Sequence, residues 1–205
     1  MRTLIVVATA PEIAPLDATL GERRDVDVLV TGVGMVATAA HCSRALAQKR
    51  YDFALNLGLC GSFDPTLTPG VVVHVVSDRL SELGAQDGTE FLAIESIPLP
   101  SDHVVQNANV PANAALAWLP RVNGITVNTV HGEERSIAEV LARCRPQVES
   151  MEGAAFMYVC RLAGVPYAQV RAVSNTVERR NRSNWKIPEA VDALAAAARA
   201  ILQRT

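Results

Sequence analysis

The sequence predicts an α/β fold, a mixed, mostly parallel central sheet with helices on both faces, in a single domain over residues 1–205. Short β-branched apolar runs alternate with longer Ala-rich runs along the chain. Hydrophobic residues make up 49% of the sequence and aromatics only 4%, which suits a core of Ala, Val, Leu and Ile better than an aromatic-rich β-sandwich. No repeat, low-complexity linker or compositional break divides the 205 residues, a length that one domain fills with a substantial core.

Residues 4–8 form the first strand. Their apolar run is about half the ~20 residues a membrane span needs. It lacks an A-x-A-like cleavage site and ends in Pro11-Glu12, so it reads as a buried strand rather than a signal peptide. Residues 26–31 are a second strand, 34–48 an Ala-rich helix, 53–58 a third strand and 71–76 a fourth. Residues 77–123 are expected to be irregular, because Pro98, Pro100, Pro111 and Pro120 break any long element. A strand follows near 125–130, helices near 133–142 and 152–163, and a strand at 167–173. An Ala-rich helix at 188–202, with Pro188 near its first turn, closes the chain. In such sheets ligands sit beyond the carboxyl ends of the strands, so the residues just past each strand are the functional candidates.

A net charge of -2 gives no electrostatic footprint for nucleic acid or an anionic membrane, and points to a small-molecule partner. Cys42, Cys60, Cys144 and Cys160 show no C-x-x-C spacing, and His41, His74, His103 and His131 are scattered. Neither a metal nor an organic cofactor is expected, and a reduced, cytoplasmic protein follows.

Gly32-Val33-Gly34-Met35-Val36-Ala37 satisfies G-x-G-x-x-[GA], a pattern that invites a dinucleotide reading with Asp52 on the ribose. Two features argue against it. The motif follows the second strand rather than the first, and Asp52 precedes the next strand instead of ending it. A tight strand-to-helix turn is the simpler explanation.

Four segments, 31–40 (TGVGMVATAA), 56–62 (NLGLCGS), 149–155 (ESMEGAA) and 170–175 (VRAVSN), together resemble the purine nucleoside phosphorylase and nucleosidase superfamily. The resemblance implies a three-layer α/β/α, nucleoside phosphorylase-like fold, a site at the strand ends, and a homodimer or larger homo-oligomer. Residues 174–187 (SNTVERRNRSNWKI) are similar to the corresponding stretch of futalosine hydrolases, nucleosidases of an alternative menaquinone pathway. That similarity implies hydrolysis of futalosine to hypoxanthine and the dehypoxanthinyl sugar.

Breaking an N-glycosidic bond develops positive charge on the ribose and negative charge on the leaving base, so the site needs an acceptor for water, polar ribose ligands and groups that hold the base. By the resemblance, Glu12 is the base for the attacking water, although Thr9-Ala10-Pro11 departs from the family's glycine and acidic surroundings. Read alone, Glu12 is equally a helix-start carboxylate. The resemblance also assigns Glu152 to the ribose hydroxyls and Met151 to packing on the sugar. Asn175 stands where adenine-cleaving nucleosidases carry Asp; its NH2 donates to O6 of a 6-oxopurine while its carbonyl accepts from a protonated N7. This substitution argues for hypoxanthine or guanine over adenine. Cys60 and Gly61 end the third strand and line the base pocket, Cys60 as a packing residue rather than a nucleophile. Arg179, Arg180 and Arg182 cluster beside Trp185. They either pair the benzoate of futalosine, with Arg182 the candidate ligand, or form a solvated loop. His131 and Phe91 are candidates to stack on the purine.

No Gly-Asp-Pro-x-Arg-like oxyanion segment follows the first strand, and a carboxylate there repels phosphate, so water is favoured over phosphorolysis. Arg44 remains a candidate phosphate ligand from a neighbouring subunit. The alternatives are a methylthioadenosine/adenosylhomocysteine nucleosidase, a phosphorolytic purine nucleoside enzyme, and an inactive nucleoside-binding or dinucleotide-binding module.

Overall fold

A computed structural model describes residues 1–16, 20–21, 23–98, 104–107 and 110–203; Pro100 and His103 lie outside them. In chain order the strands are β1 (Thr3–Val7), β2 (Val26–Val30), β3 (Phe53–Ser62), β4 (Val72–Leu80), β5 (Gly84–Asp87), β6 (Glu90–Ala93), β7 (Val104–Gln106), β8 (Arg121–Thr126), β9 (Val148–Ser150) and β10 (Tyr167–Thr176). The helices are α1 (Met35–Gln48), α2 (Ala114–Trp118), α3 (Glu134–Cys144), α4 (Gly153–Ala163) and α5 (Ile187–Leu202).

Alternation of side chains along each strand sorts the core into two layers. Ile5, Val7, Leu55 and Leu57 pack with Leu194 and Ala198 of α5, while Leu4, Val6 and Ala54 pack with Cys42 of α1 and Phe156 of α4. Each fully buried Leu, Ile or Phe contributes roughly 1.5–3 kcal/mol relative to exposure. A one-residue slip would exchange the two sets of β1, so the register is strongly specified. The sheet is mixed and mostly parallel, with helices on both faces, as the sequence predicts.

The sheet also curls back on itself. β3 runs parallel to β10, β10 antiparallel to β4, β4 parallel to β8 and β8 parallel to β9. β9 then returns to the end of β3 through the pairs Gly61↔Glu149 and Ser62↔Val148. This closure gathers residues from β3, β9 and β10 at one mouth.

Several expectations need correction. Residues 77–123 are not irregular: β4 continues to Leu80, β5 and β6 form a hairpin, and β7 and α2 follow. Gly84–Asp87 is exposed throughout and β7 has three residues, so neither shows a readable period. The strand expected at 125–130 is shifted to Arg121–Thr126, where exposed Arg121 and Asn123 mask its start. β3 and β10 outrun their apolar cores because Gly61, Ser62, Ser174 and Asn175 imitate turn residues. β9 has no counterpart among the expected elements. Among the described residues no helix is long and apolar enough to cross a membrane.

Candidate active site

A cavity of about 340 Å³ opens at the mouth of the closed sheet. Its wall includes Glu12, Cys60, Gly61, Met151, Glu152 and Asn175, six of the seven residues expected there, together with Thr9, Glu149, Ser174 and Trp185. A second hollow of about 250 Å³, between α1 and α4, is lined by Met35, Val36, Ala39, Leu80, Ala154, Ala155 and Tyr158 and offers no titratable group but Tyr158. Convergence of carboxylates, amide and hydroxyl marks the first cavity as the place for chemistry.

Glu12 sits on a 3-10 turn, Ala10–Glu12, that Pro11 helps to start. Its Oε2 accepts hydrogen bonds from the backbone N–H of Thr9 at 2.8 Å and from the Thr9 hydroxyl at 3.0 Å. Its Oε1 accepts from the backbone N–H of Leu59 at 3.3 Å. Thr9 therefore supplies two of the three donors that fix this carboxylate, and its hydroxyl is the one the departure adds.

Glu152 precedes α4 and is buried. Its Oε1 accepts from the backbone N–H of Gly34 at 3.1 Å, and its Oε2 faces Nη1 of Arg171 at 3.4 Å. Gly32 and Gly34 have φ of 84° and 98°, so the turn needs glycine to present that amide. The glycine motif thus serves an internal carboxylate. Asp52 lies at the opposite end of the strands, where it accepts from the backbone N–H of Arg2 at 2.7 Å.

Arg171 lies in the 170–175 segment of the resemblance, yet the sequence assigns it no role. It is 1% exposed and must be compensated. Its Nη2 donates to Oδ1 of Asn56 at 2.6 Å and its Nε to Oε1 of Gln169 at 3.1 Å. Nε2 of Gln169 donates to Oδ2 of Asp78 at 3.0 Å, and the Thr126 hydroxyl donates to Oδ1 at 2.9 Å. Burial pushes the Asp78 carboxyl up to about 6, against the opposing pull of Gln169, Thr126 and Arg171. A Cβ added to Gly58 would lie 2.2 Å from Nη1 of Arg171 and 3.1 Å from Oε1 of Glu12, so Gly58 lets the guanidinium reach the space between both carboxylates. The available signal was a lone cation in the middle of an apolar strand, Tyr167–Thr176.

The register between β10 and β3 shifts between Val173 and Asn175, a bulge at Ser174 that re-aims the strand end. The Ser174 hydroxyl lies 2.8 Å from Oδ1 of Asn175 and donates to it, while Nδ2 of Asn175 donates to the Thr176 carbonyl at 3.0 Å. One amide hydrogen remains beyond these two bonds. Burial pushes the Cys60 thiol up to about 12, consistent with an inert packing residue.

Arg182 does not line the cavity. Its guanidinium carbon lies 5.9 Å from the centroid of Trp185, with that of Arg180 at 5.3 Å, and Trp185 is the wall residue between them and the cavity. His131 stands behind the wall, edge-on to Phe63 at 6.0 Å and bonded to Glu149. Phe91 is removed from the site: it lies under Arg143, 4.4 Å from its guanidinium, on the β5–β6 hairpin. Arg44 lies on α1 beside His41, away from this wall. Among the described residues no group of three or more His, Cys, Asp or Glu is placed to hold a metal.

The model of the phosphorylase superfamily matches residues 9–204. The chain is 34% identical over 175 residues to the futalosine hydrolase of Acidothermus cellulolyticus, covering 80% of this chain and 70% of that one. It is 29% identical over 181 residues to the futalosine hydrolase of Thermus thermophilus, covering 85% and 80%. The solved futalosine hydrolase of Helicobacter pylori superposes with a TM-score of 0.84 at 14% identity, covering 100% of this chain and 98% of that one, which speaks to the fold. On the extent of the family match and of the 34% identical relative, this chain belongs to the phosphorylase superfamily, within its futalosine hydrolase family.

Proposed function

We propose that this cavity hydrolyses the N-glycosidic bond of a 6-oxopurine nucleoside, futalosine, releasing hypoxanthine and the dehypoxanthinyl sugar for menaquinone synthesis. The observation that carries the reading is the convergence of Glu12, Glu152 and Asn175, from three distant segments, on one cavity wall. Glu12 is held by Thr9 and Leu59 and retains acceptor capacity for a water. Water adds to the anomeric carbon as the C–N bond breaks; its proton passes to Glu12 and the bonding pair to the base, which takes up a proton from solvent at N7 and leaves as hypoxanthine. Glu152, held by Gly34 and Arg171, takes the ribose hydroxyls, with Met151 against the sugar. Asn175 holds O6 and N7 of the departing base.

A carboxylate at the nucleophile position disfavours phosphate. Two like charges about 4 Å apart repel by about 4 kcal/mol at an effective dielectric of 20. The relatives named as futalosine hydrolases support the substrate. Arg182 and Trp185 receive the benzoate end. No metal or organic cofactor takes part in this reading, and the protein works in the cytoplasm.

The reading includes a homodimer through the surface of α1 and α4. Val36 is 78% exposed and Leu162 68%, and Val33 joins that surface to the catalytic cavity. Base release from futalosine, inosine and methylthioadenosine, each with and without phosphate, tests the activity. Phosphate-independent hypoxanthine from futalosine is expected; adenine release, or strict phosphate dependence, would overturn the reading.

A further inference from the structure

We propose that Glu149 reads the N1–H of a 6-oxopurine and, with Asn175, brackets the O6 edge of the base, so that 6-aminopurines are rejected at two points. This rests on the reading above, that the cavity holds a purine nucleoside. Glu149 belongs to a strand that the sequence does not reveal.

The sheet register places the three residues concerned in one row. Gly61 is the partner of Asn175 in β10 and of Glu149 in β9. Adjacent strands lie about 4.8 Å apart, so the two side chains spring from positions on either side of a residue that has none. A Cβ added to Gly61 would lie 3.4 Å from Nδ2 of Asn175, 3.5 Å from Cγ of Glu149 and 2.8 Å from Cγ2 of Val177. The space a side chain would take at Gly61 is filled by Val177, with the Asn175 amide on one side and the Glu149 chain on the other, and Gly61, Glu149 and Asn175 all line the cavity.

Glu149 is 3% exposed. Its Oε1 accepts from the backbone N–H of His131 at 3.0 Å, and its Oε2 meets Nδ1 of His131 at 2.6 Å. A carboxylate only accepts, so Nδ1 carries the hydrogen; two bonds leave about half of the carboxylate's acceptor capacity for a ligand. The other carboxylates on the wall are already assigned, Glu12 to water and Glu152 to ribose. A buried acceptor in a ligand slot is complementary to a donor and costly beside another lone pair.

The two purine classes differ at this edge. A 6-oxopurine offers a donor at N1 and acceptors at O6 and N7. Its N1–H meets Glu149 and its O6 meets the remaining amide hydrogen of Asn175. A 6-aminopurine offers a lone pair at N1 and a donor at the 6-position, which sets lone pair against carboxylate and N–H against N–H. Sites that hydrogen-bond a substrate group discriminate strongly, because the mismatched analogue leaves buried polar atoms unpaired.

Calorimetric binding of hypoxanthine, 1-methylhypoxanthine and adenine to the wild-type protein tests this without any substitution. Hypoxanthine is expected to bind at least about 30-fold more tightly than either of the others, since methylation replaces the N1 donor with a methyl group and leaves O6 and N7 in place. Glu149→Gln, checked for an unchanged melting transition, is then expected to lower the binding preference for hypoxanthine over adenine by about 30-fold. Equal binding of hypoxanthine and 1-methylhypoxanthine would overturn the proposal, as would a folded Glu149→Gln variant with unaltered preference. If that variant does not fold, the binding comparison decides alone. Tight, N1-dependent hypoxanthine binding without base release would leave this assignment standing and overturn the hydrolase reading instead; no binding of any purine would overturn both.

Discussion

The two ends of the cavity are built in opposite ways. At the ribose end, Glu152 is backed by Arg171, Gln169, Asp78 and Thr126, all buried and joined by hydrogen bonds. At the outer end, Trp185 carries two exposed guanidinium groups on its ring, with Arg182 on a 3-10 turn of three residues. The first arrangement fixes geometry at the reacting bond, where small displacements cost large factors in rate. The second offers charge and ring surface that solvent screens, suited to selecting a substrate tail rather than to chemistry. Substitutions should therefore act on kcat at one end and on KM at the other.

The sharpest test is Glu12→Gln, which keeps shape and removes the proton acceptor. Loss of about 1,000-fold in kcat is expected with KM little changed, read by steady-state hypoxanthine release. Gly58→Ala comes next. Its Cβ would meet Nη1 of Arg171 at 2.2 Å, and the guanidinium, tied to Asn56 and Gln169, has little room to yield. A fall of about 100-fold in kcat/KM is expected, with a lower melting temperature.

Asp78→Asn probes the far end of the buried network. An Asn keeps an acceptor for only one of Gln169 and Thr126, so one of the two donors now meets N–H. The Gln169 side chain or its neighbour loses its anchor, and the link through Arg171 to Glu152 loosens. About a 10-fold fall in kcat is expected, and combining Asp78→Asn with Gln169→Glu should restore it, because the new carboxylate accepts from both neighbours. The pH dependence has a definite sign. The Asp78 carboxyl rises from its ordinary 3.8 to about 6, so the native state holds a proton there that the unfolded chain releases. Its contribution is complete below pH 3.8 and lost as pH rises through 6. Denaturant titrations should thus show the stability of wild type relative to Asp78→Asn falling by about 3 kcal/mol across that window. Arg182→Ala carries the smallest effect, a rise of about 3-fold in KM for futalosine with inosine unaffected. An equal effect on both substrates would erase the division between the two ends.

The sequence displays what is local. Apolar runs mark β1, β3 and β10, and the residues just beyond them, Glu12, Cys60, Gly61 and Asn175, all reach the cavity wall. What it hides depends on pairing across the chain. β9 has three residues and no period of its own, so Glu149 opens the 149–155 segment of the resemblance with nothing to assign it a role on the wall. Asp78 and Gln169 are 91 positions apart, and Arg171 and Asn56 are 115 apart. The glycine turn reads as a turn but not as a ligand of Glu152 for the same reason, since that partner lies 118 residues away.

That partnership has a consequence for what the turn recognises. A helix N-terminus with an amide exposed by two glycines is a receptor for anions, and here the anion is tethered to the same polypeptide. The receptor is permanently saturated by its own chain, at an effective concentration no dissolved phosphate matches. Glu152→Ala would unsaturate it, leaving the Gly34 amide and the Arg171 guanidinium facing an empty, positively polarised space. In that variant, free formate or acetate is expected to bind where the side chain was cut away and to restore part of the lost activity, in proportion to its concentration.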